Sequence, residues 1–279
     1  MKPENRNFND IFNSKKPIIG MVHLKPLPGS PEYDGRGGMK KIITHAVEEA
    51  RRLEDGGIDG IQIENQFDRP FLKAQYIGIE TVAAVTAAAA AIQAAVDLPM
   101  GINIHLNGVQ QAIAIAQAVG ADWIRAFELA NAYVSNSGIV EAAGPEALRY
   151  RASLYAEEVM ILGDFHVKHG SHQIIADRSM TEQAEDVEDS GADALIITGT
   201  KTGSAPARED VDQIRKAVSI PILIGSGLSY ENAGLLIPVI DGAIVGSSFK
   251  TDGKIENNID PRRVREFMEK VRQLIQGAG

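Results

Sequence analysis

Two short apolar runs that end in small residues, PILIGSG at 221–227 and AIVGSS at 243–248, decide how the chain is read. Each has the length of a buried strand. Each stops at a turn free of bulky side chains: Gly225, Ser226 and Gly227 in the first, Gly246, Ser247 and Ser248 in the second. A turn without Cβ bulk lets backbone N–H groups approach an anion closely. Glycine and serine are also ordinary turn chemistry, so one such turn alone says little. Two neighbouring ones suggest a phosphate cup, which in a (β/α)8 barrel commonly lies after strands seven and eight. The reading is therefore tested by counting the strands upstream.

The count reaches eight. Strand-like apolar runs occur at 17–22, 58–63, 100–106, 122–126, 159–165 and 194–198, then after Pro221 and at 242–245. Helix-like segments alternate with them at 39–55, 80–96, 109–119, 145–156, 181–190, 208–218, 230–237 and 261–275. The first shows its stripe at Ile42, Ile43, Ala46, Val47, Ala50 and Leu53, closed by Gly56 and Gly57. The alanine-rich VAAVTAAAAAIQAAV reads as a helix whose small residues allow close packing on a sheet. Strict strand–helix alternation favours a closed parallel barrel of the TIM type. A doubly wound open sheet fits less well, because the first strand leads into the proline-rich LKPLPGSPEYDGRGG and no GxGxxG occurs. A G-x-D repeat at Gly57–Asp59, Gly120–Asp122 and Gly191–Asp193 marks returns from helix to strand, on the stability face. The expected organisation is a polar N-terminal extension at 1–16 followed by one barrel domain at 17–279.

Composition agrees with one large core: 279 residues, 44% hydrophobic and 23% charged. No apolar run reaches the roughly 18 residues of a membrane span, and residues 1–16 lack the apolar stretch of a signal peptide. The expected protein is soluble, not inserted in a membrane and cytoplasmic. The absence of cysteine excludes disulfides, thiolate catalysis and cysteine-ligated metal. A formal charge of −9 argues against nucleic acid as a partner, since phosphate-backbone affinity needs a basic face. A phosphorylated small molecule, held locally by oriented amides, is the expected partner. A homo-oligomer is left open.

Strand side chains alternate, so parity selects those pointing into the barrel. Gln62 and Glu64 share the inward face of the second strand, and Gly101, Asn103 and His105 that of the third. In the fifth, Met160, Leu162, Asp164, His166 and Lys168 point inward if the strand stays regular that far. The inward set turns polar toward the C-terminal ends, where barrel enzymes place their chemistry. Within DFHVKH, Asp164 could be a proton acceptor or metal ligand, His166 a proton shuttle and Lys168 an electrophile. The bland alternative makes Asp164 and Lys168 an ion pair and leaves His169 and His172 solvated. Glu64, Asp164 and His166, with His23 at the end of the first strand, are candidate ligands of a divalent metal, although no compact metal motif is present. Arg125 is either an anion clamp or the partner of Glu128. Thr198 and Thr202 offer hydroxyls beside the cup made by Gly225, Ser226, Gly227, Gly246 and Ser247.

The stretches IIGMVHLKPLPGSPEYDG, IQIEN, ELANAYVSNSGIVEAAGPEALRYR, DFHVKHGSH, ALIITGTKTG, ILIGSGL and DGAIVGSSFKTDGKIENNIDPRRV cover nearly the whole chain. Together they resemble the BtpA/SgcQ family, most closely its SgcQ-like branch. The resemblance implies a barrel like those of ribulose-phosphate-binding enzymes. It also implies a link to bacterial carbohydrate utilisation for SgcQ-like members and to photosystem I accumulation for BtpA. Within the family pattern, His23, Glu64, Asn65, Asp164, Lys168 and His169 match positions already selected at strand ends. Arg125-Ala126-Phe127 departs from it, since many relatives carry a polar residue after that arginine. The leading expectation is an enzyme of carbohydrate metabolism acting on a phosphorylated sugar or related phosphate ester, of isomerase, epimerase or lyase type. The alternatives are a nucleoside- or nucleotide-directed hydrolase or phosphorylase, and a noncatalytic assembly or stability factor.

Overall fold

A computed structural model describes residues 7–199 and 205–277. Eight parallel strands close into a barrel: β1 (Ile18–His23), β2 (Gly60–Glu64), β3 (Met100–Asn103), β4 (Trp123–Ala126), β7 (Met160–Phe165), β8 (Ala194–Ile197), β9 (Ile222–Ile224) and β10 (Gly242–Val245). Closure is made by β1, which pairs with β2 on one side and β10 on the other. Helices α2 (Gly38–Asp55), α3 (Ile79–Gln93), α4 (Val109–Val119), α5 (Gly144–Ser153), α6 (Met180–Asp189), α7 (Arg208–Ile214), α8 (Ala233–Leu236) and α9 (Pro261–Gln276) connect or follow the strands. Between β4 and α5 lies an antiparallel hairpin, β5 (Ala132–Ser135) and β6 (Gly138–Glu141), where the sequence reading had only a long connection. The third strand ends at Asn103 rather than running to residue 106.

Alternation sorts the apolar residues into two layers. Ile61, Ile63, Ile102, Ile124 and Ile161 face outward and bury the stripes of the helices, including Ala46, Ala50, Ala84 and Ala88. Ile19, Met21, Trp123, Met160, Leu162, Ile196, Leu223 and Ile244 fill the interior. Within the stretch expected as a polar N-terminal extension, residues 7–12 close that interior from below. Asn7 caps a short helix, α1 (Phe8–Ile11), and Phe8, Ile11 and Phe12 are buried against the interior residues. The Phe12 and Trp123 rings lie 5.5 Å apart. The many asparagines hid three apolar residues at helical spacing.

The aspartates of the G-x-D repeat act at this lower face. Asp59 accepts from the Ile18 amide at 2.8 Å. Asp122 accepts from Met100 at 3.0 Å and Asp193 from Ile161 at 2.7 Å. A fourth, Asp241, accepts from Ile222 at 2.8 Å. Each carboxylate satisfies an amide at the start of a neighbouring strand, which would otherwise be orphaned at the barrel rim. The lower face is thus sealed by carboxylate caps and an aromatic plug, leaving the other face for chemistry.

Trp123 fits inside only because its neighbour on β3 has no side chain. A Cβ on Gly101 would stand 1.9 Å from Trp123 Nε1, which donates to Gln62 Oε1 at 2.6 Å. We expect Gly101→Ala to destabilise the protein by about 1–3 kcal/mol through overpacking. The double variant with Trp123→Leu should lose less than the sum of the two single losses, because the clash goes with the indole. Urea midpoints of the four proteins check this; strict additivity would reject it.

Candidate active site

Three polar side chains from adjacent strands form the top of the filled interior. Asn103 on β3, Arg125 on β4 and Asp164 on β7 are all buried. Arg125 donates from Nε to Asp164 Oδ1 and from Nη2 to Asp164 Oδ2, both at 2.7 Å, a bidentate pair. Asn103 Nδ2 donates to the Arg125 carbonyl at 3.0 Å. The Arg125 guanidinium lies 5.2 Å from the centre of the Phe127 ring. Its other flank bears on Gly225, where a Cβ would meet Ile196 Cγ2 at 2.4 Å and Arg125 Nη2 at 2.8 Å. Neither pairing offered as an alternative in the sequence forms: Arg125 binds Asp164 and not Glu128, and Asp164 binds Arg125 and not Lys168. Burial pushes the Asp164 carboxyl up, and the Arg125 charge and hydrogen bonds pull it back.

Over this pair, at the C-terminal ends of the strands, opens a cavity of about 790 Å³. His23, Glu64, Arg125, Lys168 and His169 line it, as do Gly225, Ser226, Gly227, Gly246 and Ser247 from the turns after β9 and β10. The two turns expected to form a cup therefore face one space. Gly227 has φ +81°, a left-handed conformation that favours glycine. The Ser226 hydroxyl is buried without a hydrogen-bond partner among the described residues. Ser248, by contrast, donates to the Leu228 carbonyl at 2.8 Å and so ties one turn to the other.

The remaining expected residues stand elsewhere. His166 does not continue the inward face of β7: the strand ends at Phe165, and His166 has φ +52°. Its ring stacks on His172 at 4.0 Å, and its Nδ1 lies 3.3 Å from Gln183 Oε1 on α6. Glu64, Asp164 and His166 consequently do not converge. Among the described residues no group of three or more histidine, aspartate or glutamate side chains is arranged to hold a metal ion. Asn65 braces a loop, accepting from the His105 amide at 2.8 Å and donating to Asp68 at 3.3 Å. Thr198 is at the end of β8, its Oγ1 buried without a partner among the described residues, and Thr202 lies outside them.

His105, just beyond the end of β3, belongs with these groups. Its Nε2 is 3.1 Å from Glu64 Oε1, and its ring stacks on Phe71 at 4.1 Å and lies 4.7 Å from Phe127. Parity had already put it on the inward side of the third strand. The electrostatics are set by burial and by neighbours. Burial holds His23 at about 4, so its imidazole is neutral at neutral pH. For Glu64, burial alone would raise the carboxyl, but His105, His23 and Arg125 outweigh it and bring it to about 2. Burial and the Arg125 charge lower the Lys168 ammonium. The cavity thus brings together a carboxylate, a neutral imidazole and a lysine whose ammonium is lowered by burial.

Comparison with known proteins gives the family and the fold. The BtpA family pattern matches residues 14–273. The photosystem I biogenesis protein BtpA of Synechocystis is 40% identical over 260 residues, which cover 92% of this chain and 88% of that one. An uncharacterised protein of Archaeoglobus fulgidus is 39% identical over 254 residues, 91% of this chain and 98% of its own. Among solved structures, tryptophan synthase of Mycobacterium tuberculosis superposes with a TM-score of 0.60 at 18% identity, covering 92% and 93% of the two chains. Thiamine phosphate pyrophosphorylase of Pyrococcus furiosus superposes at 0.57 and 16% identity, covering 94% and 97%. At such low identity the solved structures establish the barrel and nothing finer.

The buried imidazole has a consequence for stability. Unfolded, His23 takes up a proton near 6.5; folded, only near 4. The unfolded state therefore binds more protons in that window, and stability falls as pH drops from about 6.5 to 4. His23→Gln should remove part of this decline, on the order of 2–3 kcal/mol, while other histidines lowered by burial act equally in both proteins. Denaturant midpoints across that range check it; parallel curves would reject the assignment.

Proposed function

Because the chain belongs to the BtpA family and carries this polar cavity on a barrel, we propose that it is an enzyme acting on a phosphorylated sugar or related phosphate ester. The observation that carries the reading is that the two glycine–serine turns share one cavity with Glu64, His23 and Lys168. Backbone amides of the turns supply donors for a phosphate without requiring a cation, as such turns do elsewhere. The substrate's reacting carbons then lie beside the carboxylate and the lysine.

The reaction class that suits these groups removes a proton next to a carbonyl and stabilises the resulting oxyanion, as isomerases, epimerases and lyases do. Glu64, ionised at neutral pH, takes the proton. A carboxyl held at about 2 is a weak base, so transfer depends on simultaneous stabilisation of the oxyanion by Lys168. The lowered lysine also suits a Schiff base. His23, neutral and with its Nδ1 unpartnered among the described residues, adds a hydrogen-bonding group to the substrate. Asp164, buried against Arg125, positions that guanidinium and does not touch the substrate. Within this reading it is a positioning residue, and proton transfer falls to Glu64.

Screening phosphosugars for turnover by NMR, with wild type beside Lys168→Met and Glu64→Gln, tests the chemistry. Both variants should fold and lose on the order of a hundredfold or more in turnover. Folded variants with wild-type turnover would end the assignment. If no phosphosugar turns over, the noncatalytic reading suggested by the name of the Synechocystis relative gains ground.

The cup is tested separately at Gly246, whose Cβ would stand 3.4 Å from His23 Cε1; its φ of −113° and ψ of −88° lie outside the helical and extended regions, so a melting curve of the variant first reports its folding. Gly246→Val should weaken a phosphorylated ligand at least tenfold more than its dephosphorylated analogue. Equal losses would show that the two turns bind something other than phosphate.

A further inference from the structure

The cavity exceeds what a sugar phosphate fills. Its volume is about 790 Å³. At liquid water's share of about 30 Å³ per molecule it holds on the order of 25 heavy atoms, against roughly 14 in a pentose phosphate. The surplus has a chemical character. Leu106, Phe127, Tyr133, Val140 and Val167 form an apolar cluster separate from both barrel layers, with Phe71 packed against it. These residues come from the loops after β2, β3, β4 and β7 and from the hairpin β5–β6, and all but Val140 line the cavity.

A wall of this kind suits a flat ring. Phe71 and His105 stack nearly parallel, 13° apart in plane, and His105 in turn abuts Phe127. Phe71 is half-buried, so part of its ring faces the cavity. Aromatic faces gain most from offset stacking with another π-system, which a sugar alone does not supply. Arg125 joins this wall to the phosphate turns: Phe127 lies against its guanidinium, and a Cβ on Gly225 would stand 2.8 Å from its Nη2. Ser135 and Asn136, at the tip of the hairpin, bring hydrogen-bonding groups to the same cavity.

Building on the phosphate reading, we propose that the substrate is a phosphorylated sugar that carries a planar aromatic or heteroaromatic ring, its phosphate in the turns and its ring against the Phe71–His105–Phe127 wall. The ring accounts for the apolar loop cluster, and the phosphate for the bare turns. Sugar atoms then span Arg125, Glu64 and Lys168.

Titration calorimetry with ribose 5-phosphate, adenosine 5′-monophosphate and uridine 5′-monophosphate tests it, on wild type and Phe71→Ala. Phe71 stands on a loop, and the melting curve of the variant reports its folding. At least one of the ring-bearing probes should bind about tenfold or more tighter than ribose 5-phosphate. Phe71→Ala should remove most of that gain and leave ribose 5-phosphate within twofold. If ribose 5-phosphate binds and neither ring adds affinity, or if Phe71→Ala weakens all three alike, the ring subsite is wrong and the phosphate reading stands. If none of the three binds, the phosphate reading falls and the ring subsite with it.

Discussion

A bidentate ion pair buried in the throat of the barrel, Arg125 with Asp164, is the constraint to which the site is fitted. Both side chains are almost wholly out of solvent, at 5% and 1% exposure. Ions in such a place cost several kcal/mol each to desolvate, and mutual attraction offsets this only with good geometry and further hydrogen bonds. The surroundings supply both. Two parallel bonds of 2.7 Å align the charges, and Asn103 fixes the Arg125 backbone from the next strand. Gly225 leaves room for the guanidinium, and Phe127 covers its face. Below the pair the interior is apolar except for Gln62, which accepts from the Trp123 indole; above it the cavity begins.

A second buried pair acts behind the cup. Lys250 is ion-paired with Glu49 of α2, and Glu49 also accepts from Arg52 Nη1 at 2.7 Å and from the Ile259 amide at 3.0 Å. Lys250 and Ile259 bridge to each other, so the segment after the β10 turn is folded back and tied to α2. Phe249, next to it, is buried against Phe267 of α9. The turn at Gly246 and Ser247 is therefore held from outside the barrel, leaving its inner side to a ligand. Preorganised amides of this kind bind an anion without first paying to order a loop.

The sequence made the barrel legible because its elements are short, regular and punctuated. Period-2 alternation placed Glu64, Asn103 and Asp164 on the inward side correctly, since their strands obey the pleat to those residues. It failed where the backbone leaves the pleat. His166 and His169 have φ of +52° and +65°, so no parity rule reaches Lys168, which faces the cavity through the loop's own path. The plug helix was obscured by polar composition, though Phe8, Ile11 and Phe12 carry a helical i, i+3, i+4 stripe. The hairpin had a visible signal too: AYVS and GIVE flank Asn136-Ser137, two residues between short runs rich in β-branched or aromatic side chains. What no local pattern contains is the choice of ionic partner. Asp164 lies near Arg125, Lys168 and Glu64 alike, and only the closed barrel decides which cation reaches it bidentately.

That choice sets the electrostatics a substrate meets. With Arg125 and Asp164 neutralising each other below, Glu64 and Lys168 both line the cavity, and among the described residues no ion pair joins them. Glu64 is met by His105, and Lys168 remains usable. The protein as a whole carries −9, so its long-range field repels an anionic ligand and gives it no steering. A phosphate ester must then gain its binding within a few ångströms, from amides aimed by the two turns and from Lys168, which lines the same cavity. A cation that merely paired with the nearest aspartate would forfeit that contact. Locking Asp164 onto Arg125 is what keeps Lys168 available.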